Sequence, residues 1–404
     1  MTDLVGDVAD VVMGQSPPGA SCNYDGVGLP LLNGPTEFGS KSPLPKQFTT
    51  NPKKIARQGD LLFCVRGSTT GRMNWADQEY AIGRGIGAIR HKRDAKLNPL
   101  LRAVIEWRLP HLLAGATGST FPNVSQQMLC KLAWPRTIVG REHEISGLLE
   151  SIDDRKELNL QKSATLEEMA RAVYRDWFVD FGPVRRKMGG ATDSAKILGG
   201  LVSDQAQADD MAALFPHALS PEGIPVGWSV EILEEVLTLA YGKALPKPAR
   251  IEGRVPVYGS GGIGGWHTAS LAEGPGIIVG RKGTVGSLFW EPSDFYAIDT
   301  VFYVQPKAGY SLEYLWQLLG TLGLEKMNTD AAVPGLNRNN AYRLEIVSSD
   351  QPVRDAFTEL AGLLRTRIDV AERETRTLNE TRDYLLPRLM SGRVEIAGEP
   401  KVSD

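Results

Sequence analysis

The chain has 404 residues, enough for two to four domains at the usual size of about 100–150 residues each. It is 42% hydrophobic and 23% charged, a globular composition that excludes a disordered chain. Cys22, Cys64 and Cys130 are odd in number and widely spaced, with no C-x-x-C pair, which excludes a disulfide framework and a cysteine-based zinc site. The sequence has neither a basic-then-apolar leader nor about 18 consecutive apolar residues, so the expectation is a cytoplasmic protein with no membrane contact. The net charge of −3 argues against sequence-blind, charge-driven nucleic-acid binding. Residues 1–140 nevertheless hold 16 Lys/Arg against 10 Asp/Glu (+6), whereas residues 222–350 hold 10 against 14 (−4).

Taken in chain order, residues 1–139 read as a first globular domain. Leu29-Pro30 and Asn33-Gly34 come early, and Gly59-Asp-Leu-Leu-Phe-Cys-Val-Arg66 reads as a buried strand running into the turn Gly67-Ser-Thr-Thr-Gly71. Tyr80-Ala-Ile82 and Phe121-Pro-Asn-Val124 follow. Residues 140–186 carry a long helical pattern. Residues 187–222, rich in Gly, Ala, Ser and Asp with little periodicity, read as a linker.

The pattern then recurs in a second globular domain, residues 223–350. Val255-Pro256 with Tyr258-Gly259 echoes the first pair of dipeptides. Gly274-Pro-Gly-Ile-Ile-Val-Gly-Arg281 and Lys282-Gly-Thr-Val-Gly286 match the strand and turn at an offset of 215, and Tyr296-Ala-Ile298 and Val333-Pro-Gly-Leu336 complete the series. Order preserved over about 120 residues marks an internal duplication. A second long helix, 351–393, precedes a tail, 394–404.

The two helices share a heptad phase. Ile145, Ile152, Asn159, Leu166 and Val173 line up at an offset of 212 with Phe357, Leu364, Ala371, Leu378 and Leu385. Leu149, Ala170 and Trp177 in one, and Ala361, Ile368 and Leu389 in the other, sit four positions on. The fold class expected is α/β (α+β): two tandem globular domains separated by long helices in an antiparallel coiled coil with a pseudo-twofold axis. Asn159 either sets the register of that seam or is solvated where it frays. A helix of about 40 residues is about 60 Å long, so the shape is a ruler with two heads.

Such a ruler suits a polymer read at two places, and duplex DNA is the obvious polymer. Arg66, Ser68, Thr69, Thr70 and Arg72 in the first head, and Arg281, Lys282 and Thr284 in the second, offer forks for guanine and donors for phosphate. Later loops add Thr117, Ser119, Thr120, Asn123, Gln126 and Gln127, then Asn337, Arg338 and Asn339, whose amides suit adenine edges. Any one of these alone reads more readily as a solvated polar loop residue; only the set recurring in both heads favours DNA.

Trp177-Phe-Val-Asp-Phe-Gly-Pro-Val184, Ile224-Pro-Val-Gly-Trp228 and Leu385-Leu-Pro-Arg-Leu-Met-Ser-Gly-Arg393 resemble the specificity subunits of type I restriction-modification systems, over nearly the whole chain. The resemblance implies two target-recognition domains, each reading half of a split, asymmetric site in double-stranded DNA. It also implies docking of two methyltransferase subunits, and of motor-nuclease (restriction) subunits, to methylate adenine at N6 and cleave unmodified DNA. One departure is that the first head lacks the Pro-x-Gly-Trp opening and begins near Leu4-Val-Gly-Asp-Val. Apolar residues near the helix ends, Trp177, Phe178 and Phe181 with Leu385 and Leu389, are candidate docking points for the methyltransferase; packing against a head is the other reading.

No catalytic apparatus of the chain's own is visible. There is no Asn-Pro-Pro-Tyr-like tetrapeptide for a flipped adenine and no G-x-x-x-x-G-K-[ST] loop. Gly259-Ser-Gly-Gly-Ile-Gly-Gly265 lacks a βαβ setting, and the five histidines are scattered. The chain is therefore expected to be a non-catalytic subunit without a cofactor, S-adenosylmethionine, ATP and magnesium belonging to its partners. The competing reading is a two-headed coiled-coil scaffold that grips proteins and reads no DNA.

Overall fold

The structure, a computed structural model, describes residues 4–116, 122–202, 204–327 and 335–394. It divides into two compact units, one of residues 1–160 with 373–404 and the other of residues 161–372. Each unit therefore holds one sheet-rich head and part of both long helices.

The first head opens with a single helical turn, α1 (Val5–Val8), that leads into strand β1 (Ala9–Met13). Short strands follow: β2 (Cys22–Asn23), β3 (Leu29–Leu32), β4 (Gln47–Thr49), β5 (Ile55–Ala56), β6 (Leu61–Cys64), β7 (Met73–Trp75), β8 (Tyr80–Ile82) and β9 (Ile86–His91). They form a four-stranded sheet in the order β1-β9-β6-β7 and a five-stranded one in the order β2-β4-β3-β8-β5. Leu61, Leu62, Phe63 and Cys64 are all buried, as the unbroken apolar run of this segment requires for a strand covered on both faces. Helix α2 (Asn98–Ala114) and the short α3 (Gln126–Cys130), capped by Ser125, close the head.

The first long helix, α4 (Glu142–Tyr174), runs into a π-helical turn, Arg175–Val179. Within 187–222, expected as an aperiodic linker, the described residues 187–202 and 204–222 instead include short helices and buried core residues. After α5 (Gly182–Met188) come α6 (Ser194–Ile197) and α7 (Gln205–Ala213). Ile197, Leu198, Ala208, Met211 and Phe215 are buried in the core of the second unit. The side chains of Asp193 and Asp204 cap α6 and α7 by accepting from Lys196 N and Gln207 N, among others, which starts each helix without any long periodic run.

The second head repeats the plan of the first. Its elements are β10 (Ser229–Ile232), α8 (Leu233–Val236), β11 (Leu237–Tyr241), β12 (Val255–Gly259), β13 (Gly262–His267), β14 (Gly276–Gly280), β15 (Leu288–Glu291), β16 (Tyr296–Ala297), β17 (Val301–Pro306), α9 (Leu312–Thr321), α10 (Arg338–Tyr342) and β18 (Glu345–Ser348). Its four-stranded sheet has the order β11-β17-β14-β15, strand for strand the order of the first head, and β12 pairs with β16 in parallel as β3 does with β8. The last helix is α11 (Gln351–Met390).

Within the first unit α4 and α11 run antiparallel. Thr137, just before α4, donates to Met390 O at 2.6 Å, and further along Arg155 forks onto Glu374 at 2.8 and 3.0 Å. Asn159 is buried and donates to the same carboxylate at 3.0 Å. Within the second unit Glu167 meets Arg365 at 3.7 Å and Tyr174 meets Phe357 at 5.5 Å, again with opposite chain directions. Along α4 the seam residues Ile145, Ile152, Leu166 and Val173 are buried, and along α11 so are Phe357, Ala361, Ile368 and Ala371. Among the described residues no helix is long and apolar enough to cross a membrane.

Candidate nucleic-acid interface

In each head four loops meet at one end of the four-stranded sheet, and backbone hydrogen bonds tie them together. In the first head Gly14 N donates to Ile86 O and Val65 N to Gly85 O, both at 2.9 Å; Gly71 N donates to Cys64 O and Val124 N to Val65 O, also at 2.9 Å. In the second head Gly242 N donates to Val301 O (3.2 Å), Arg281 N to Thr300 O (2.9 Å), Gly286 N to Gly280 O (2.8 Å) and Leu336 N to Arg281 O (2.8 Å). Gly14 and Gly242 are required by close approach: a Cβ on either would lie 2.2 Å from Gly83 O or 2.0 Å from Ile298 O.

These bonds correct the constant offset of 215. Val124 bonds to Val65 as Leu336 does to Arg281, and Cys64 pairs with Ile86 as Gly280 does with Val301. On the strand the offset is therefore 216, so Arg66 corresponds to Lys282 and Val65 to Arg281. The turn of the second head is one residue shorter, which brings the offset back to 215 at Gly71 and Gly286. Matching arginine to arginine overrode the burial phase: Val65 is buried, whereas Arg66 points outward.

The structure brings together most of the residues singled out in the first head. Arg66, Ser68 and Arg72 are exposed on the β6–β7 turn, and an isolated β-bridge joins Arg66 to Asn123, which is also exposed. Thr69 and Thr70 are half-buried and turned inward. The Thr70 hydroxyl lies 2.8 Å from Gly67 O and 2.9 Å from Pro122 O, and Thr69 lies beside the Cys64 thiol at 3.7 Å. Gln126 is exposed, but its side-chain amide nitrogen donates to Val11 O at 2.9 Å, so that nitrogen braces α3 against β1. Thr117, Ser119 and Thr120 lie outside the described residues. Sequence reasoning missed Gln15, Ser16 and Arg84, which are exposed on the other two loops of this end; the signal was the Gly83-Arg-Gly85 triplet between two strands.

In the second head Arg281, Lys282, Asn337, Arg338 and Asn339 line one pocket of about 270 Å³ together with Tyr241, Phe302, Gly335 and Leu336. The Arg281 guanidinium lies 5.2 Å from the centre of the Tyr241 ring and 5.8 Å from that of Phe302. Arg338 lies 4.6 Å from Tyr241 and 5.6 Å from Tyr342. Such stacking fixes guanidinium planes that would otherwise sample many rotamers. Lys282 is exposed and bridges to Gly335, as Arg66 does to Asn123. Thr284 is exposed on the turn, its amide 3.4 Å from the Ser260 hydroxyl. Asn337 caps α10, its side chain accepting from Asn339 N at 2.9 Å and from Asn340 N at 3.3 Å. Tyr241 and the exposed Lys243 were missed; Tyr241-Gly-Lys243 occupies the place of Met13-Gly-Gln15.

Of the two readings of the apolar helix-end residues, docking points or packing inside the chain, the burial favours packing. Trp177, Phe178 and Phe181 are buried in an aromatic core with Phe215, Trp228, Tyr314 and Phe357; Trp177 meets Phe215 edge-on at 5.0 Å and Phe178 stacks on Trp228 at 5.9 Å. Leu389 is buried in the core of the first unit, and Leu385 is half-buried against it. Apolar residues at helix ends satisfy the hydrophobic effect inside their own unit before any partner is needed.

Salt-bridged nodes fasten each head to its helices. In the first unit Arg382 of α11 pairs with Glu106 of α2. In the second, Glu167 of α4 accepts from Trp316 Nε1 at 2.6 Å and from Gln317 Nε2 at 2.9 Å, both on α9, while Arg365 packs over the Trp290 ring at 5.3 Å.

No family model matches the chain. A protein of Methanocaldococcus jannaschii, assigned as the MjaX type I restriction enzyme specificity subunit, is 28% identical over 163 residues, 40% of this chain and 38% of that one. The HindI type I restriction enzyme specificity subunit of Haemophilus influenzae is 22% identical over an alignment of 414 residues, covering 86% of this chain and 89% of that one. The crystal structure of a type I restriction-modification system S subunit from M. genitalium matches 96% of this chain and 94% of its own with a TM-score of 0.53 at 18% identity. The chain is similar in sequence and in fold to type I specificity subunits. Like the loops described above, that similarity extends over both heads: the HindI alignment spans nearly the full length of each chain, whereas the MjaX match covers less than half of either.

Proposed function

We propose that this chain is the non-catalytic DNA sequence-recognition subunit of a type I restriction-modification complex. Each head reads one half of a bipartite, asymmetric site in double-stranded DNA, and partner methyltransferase and restriction subunits act at N6 of adenine and on unmodified DNA. S-adenosylmethionine, ATP and magnesium are used by those partners. The observation that carries this reading is the same four-loop end in both heads, built on one strand order but dressed with different polar side chains: Arg66, Arg72, Arg84 and Asn123 in one, Arg281, Lys282, Asn337, Arg338 and Asn339 in the other. A shared framework with divergent exposed donors is what two readers of unlike half-sites require. The test is to co-express the chain with its type I methyltransferase subunit in a methylation-free host and to map N6-methyladenine by single-molecule sequencing. A split motif with a fixed gap is expected; a stable complex that methylates no motif rejects the reading.

A further inference from the structure

We propose that the pocket formed by Arg281, Arg338 and Tyr241 reads a guanine in the half-site contacted by the second head, an inference that rests on the DNA-recognition reading above. Both guanidiniums sit over one half-exposed phenol ring, and the Nε atom of each is buried without a hydrogen-bond partner. Lys282 adds a third cation, and among the described residues lining the pocket none is acidic. Two like charges held side by side by ring stacking, with no carboxylate among the described lining residues to offset them, lower their energy by gaining an acceptor-rich ligand.

The comparison between heads decides which acceptor. In the first head Val65 stands where Arg281 stands in the second, Met13 where Tyr241 stands, Gly87 where Phe302 stands and Gln126 where Arg338 stands. That corner holds no arginine pair: Val65 packs near Gly87, and the Gln126 side-chain amide is spent on Val11 O. Phosphate contacts are the same whatever the sequence, so they give two heads of one plan no reason to differ at this point. A base contact does, and guanine presents O6 and N7 together on one edge, matching the fork of a guanidinium held flat against a ring.

The experiment maps N6-methyladenine for the complete methyltransferase complex carrying wild-type chain, Arg338→Ala, Arg338→Lys or Arg281→Ala, with gel-shift titrations of each complex against salt. The wild-type motif is expected to contain a guanine in the second half. Arg338→Ala and Arg281→Ala should relax that one position roughly ten- to hundredfold while the first half stays fully specified, which also shows that the variant complex is folded. Arg338→Lys, which keeps the charge but loses the planar fork, should relax it too. The proposal is overturned if the wild-type second half contains no guanine. It is equally overturned if the motif is unchanged while affinity falls evenly and the salt slope drops by about one, the signature of a phosphate contact, with Arg338→Lys behaving as wild type. A wild-type complex that methylates no split motif rejects the underlying DNA-reading assignment itself, whereas a normal wild-type motif with unaltered variants rejects this pocket alone.

Discussion

Replacing Trp177 by alanine separates a core role from a docking role. The side chain is wholly buried, 5.0 Å from Phe215 and 6.2 Å from both Phe178 and Phe357. Truncating a fully packed aromatic residue costs about 3–5 kcal/mol, lost transfer energy plus the cavity left behind. In a domain of roughly 150–250 residues each kcal/mol lowers Tm by about 2–4 °C, so Trp177→Ala should lower the melting of the 161–372 unit by roughly 6–20 °C. The indole Nε1 is buried without a hydrogen-bond partner, so Trp177→Phe sacrifices no polar contact and should lose only about 1–2 kcal/mol. Calorimetry of the full-length chain measures both shifts, and titration with the methyltransferase subunit measures docking. A Trp177→Ala chain that melts within a degree of wild type but no longer binds its partner would refute the core assignment.

Three further outcomes follow from the same contacts. Glu167→Ala removes the acceptor of Trp316, Gln317 and Arg365; with the pair only partly exposed it should cost about 2–3 kcal/mol in urea unfolding, and a loss below about 0.5 kcal/mol would contradict the node. Gly242→Ala drives a Cβ against Ile298 O and should destabilise the second head by about 1–3 kcal/mol, seen as faster amide exchange in β11 and β17 and not in the strands of the first head. Asn159→Leu replaces a buried polar seam residue and should raise thermal stability by about 1 kcal/mol or more while loosening the helix register, which cysteine cross-linking between α4 and α11 would detect as additional pairings.

The duplication, the long helices and their shared phase were legible in the sequence because burial leaves a trace there: Leu61–Cys64 and Gly276–Gly280, covered on both faces, are short runs with no charged residue, and along the first long helix burial follows a period of 3.5 at Ile145, Ile152 and Val173. Finer features were hidden where local identity and three-dimensional role part company. Arg66 and Arg281 look alike, yet a turn one residue shorter makes Val65 the counterpart of Arg281. Helices as short as α6 and α7 leave no periodic trace, so the buried Ile197 and Met211 on them, and Phe215 just beyond α7, passed for linker. Trp177 and Phe178 are apolar whether they meet a partner or their own core, and only packing against Phe215 and Phe357 distinguishes the two. Tyr241 went unnoticed because its partners in the pocket, Arg281 and Arg338, lie 40 and 97 positions away in the sequence.

The measurement that tests the two-reader account most directly is a head exchange. Residues 1–140 are replaced by the corresponding head of another type I specificity subunit, and N6-methyladenine is mapped for the parent and exchanged complexes in a methylation-free host. The account predicts that one half of the split motif changes while the other half and the gap stay fixed. A motif altered in both halves, or left intact, would contradict it.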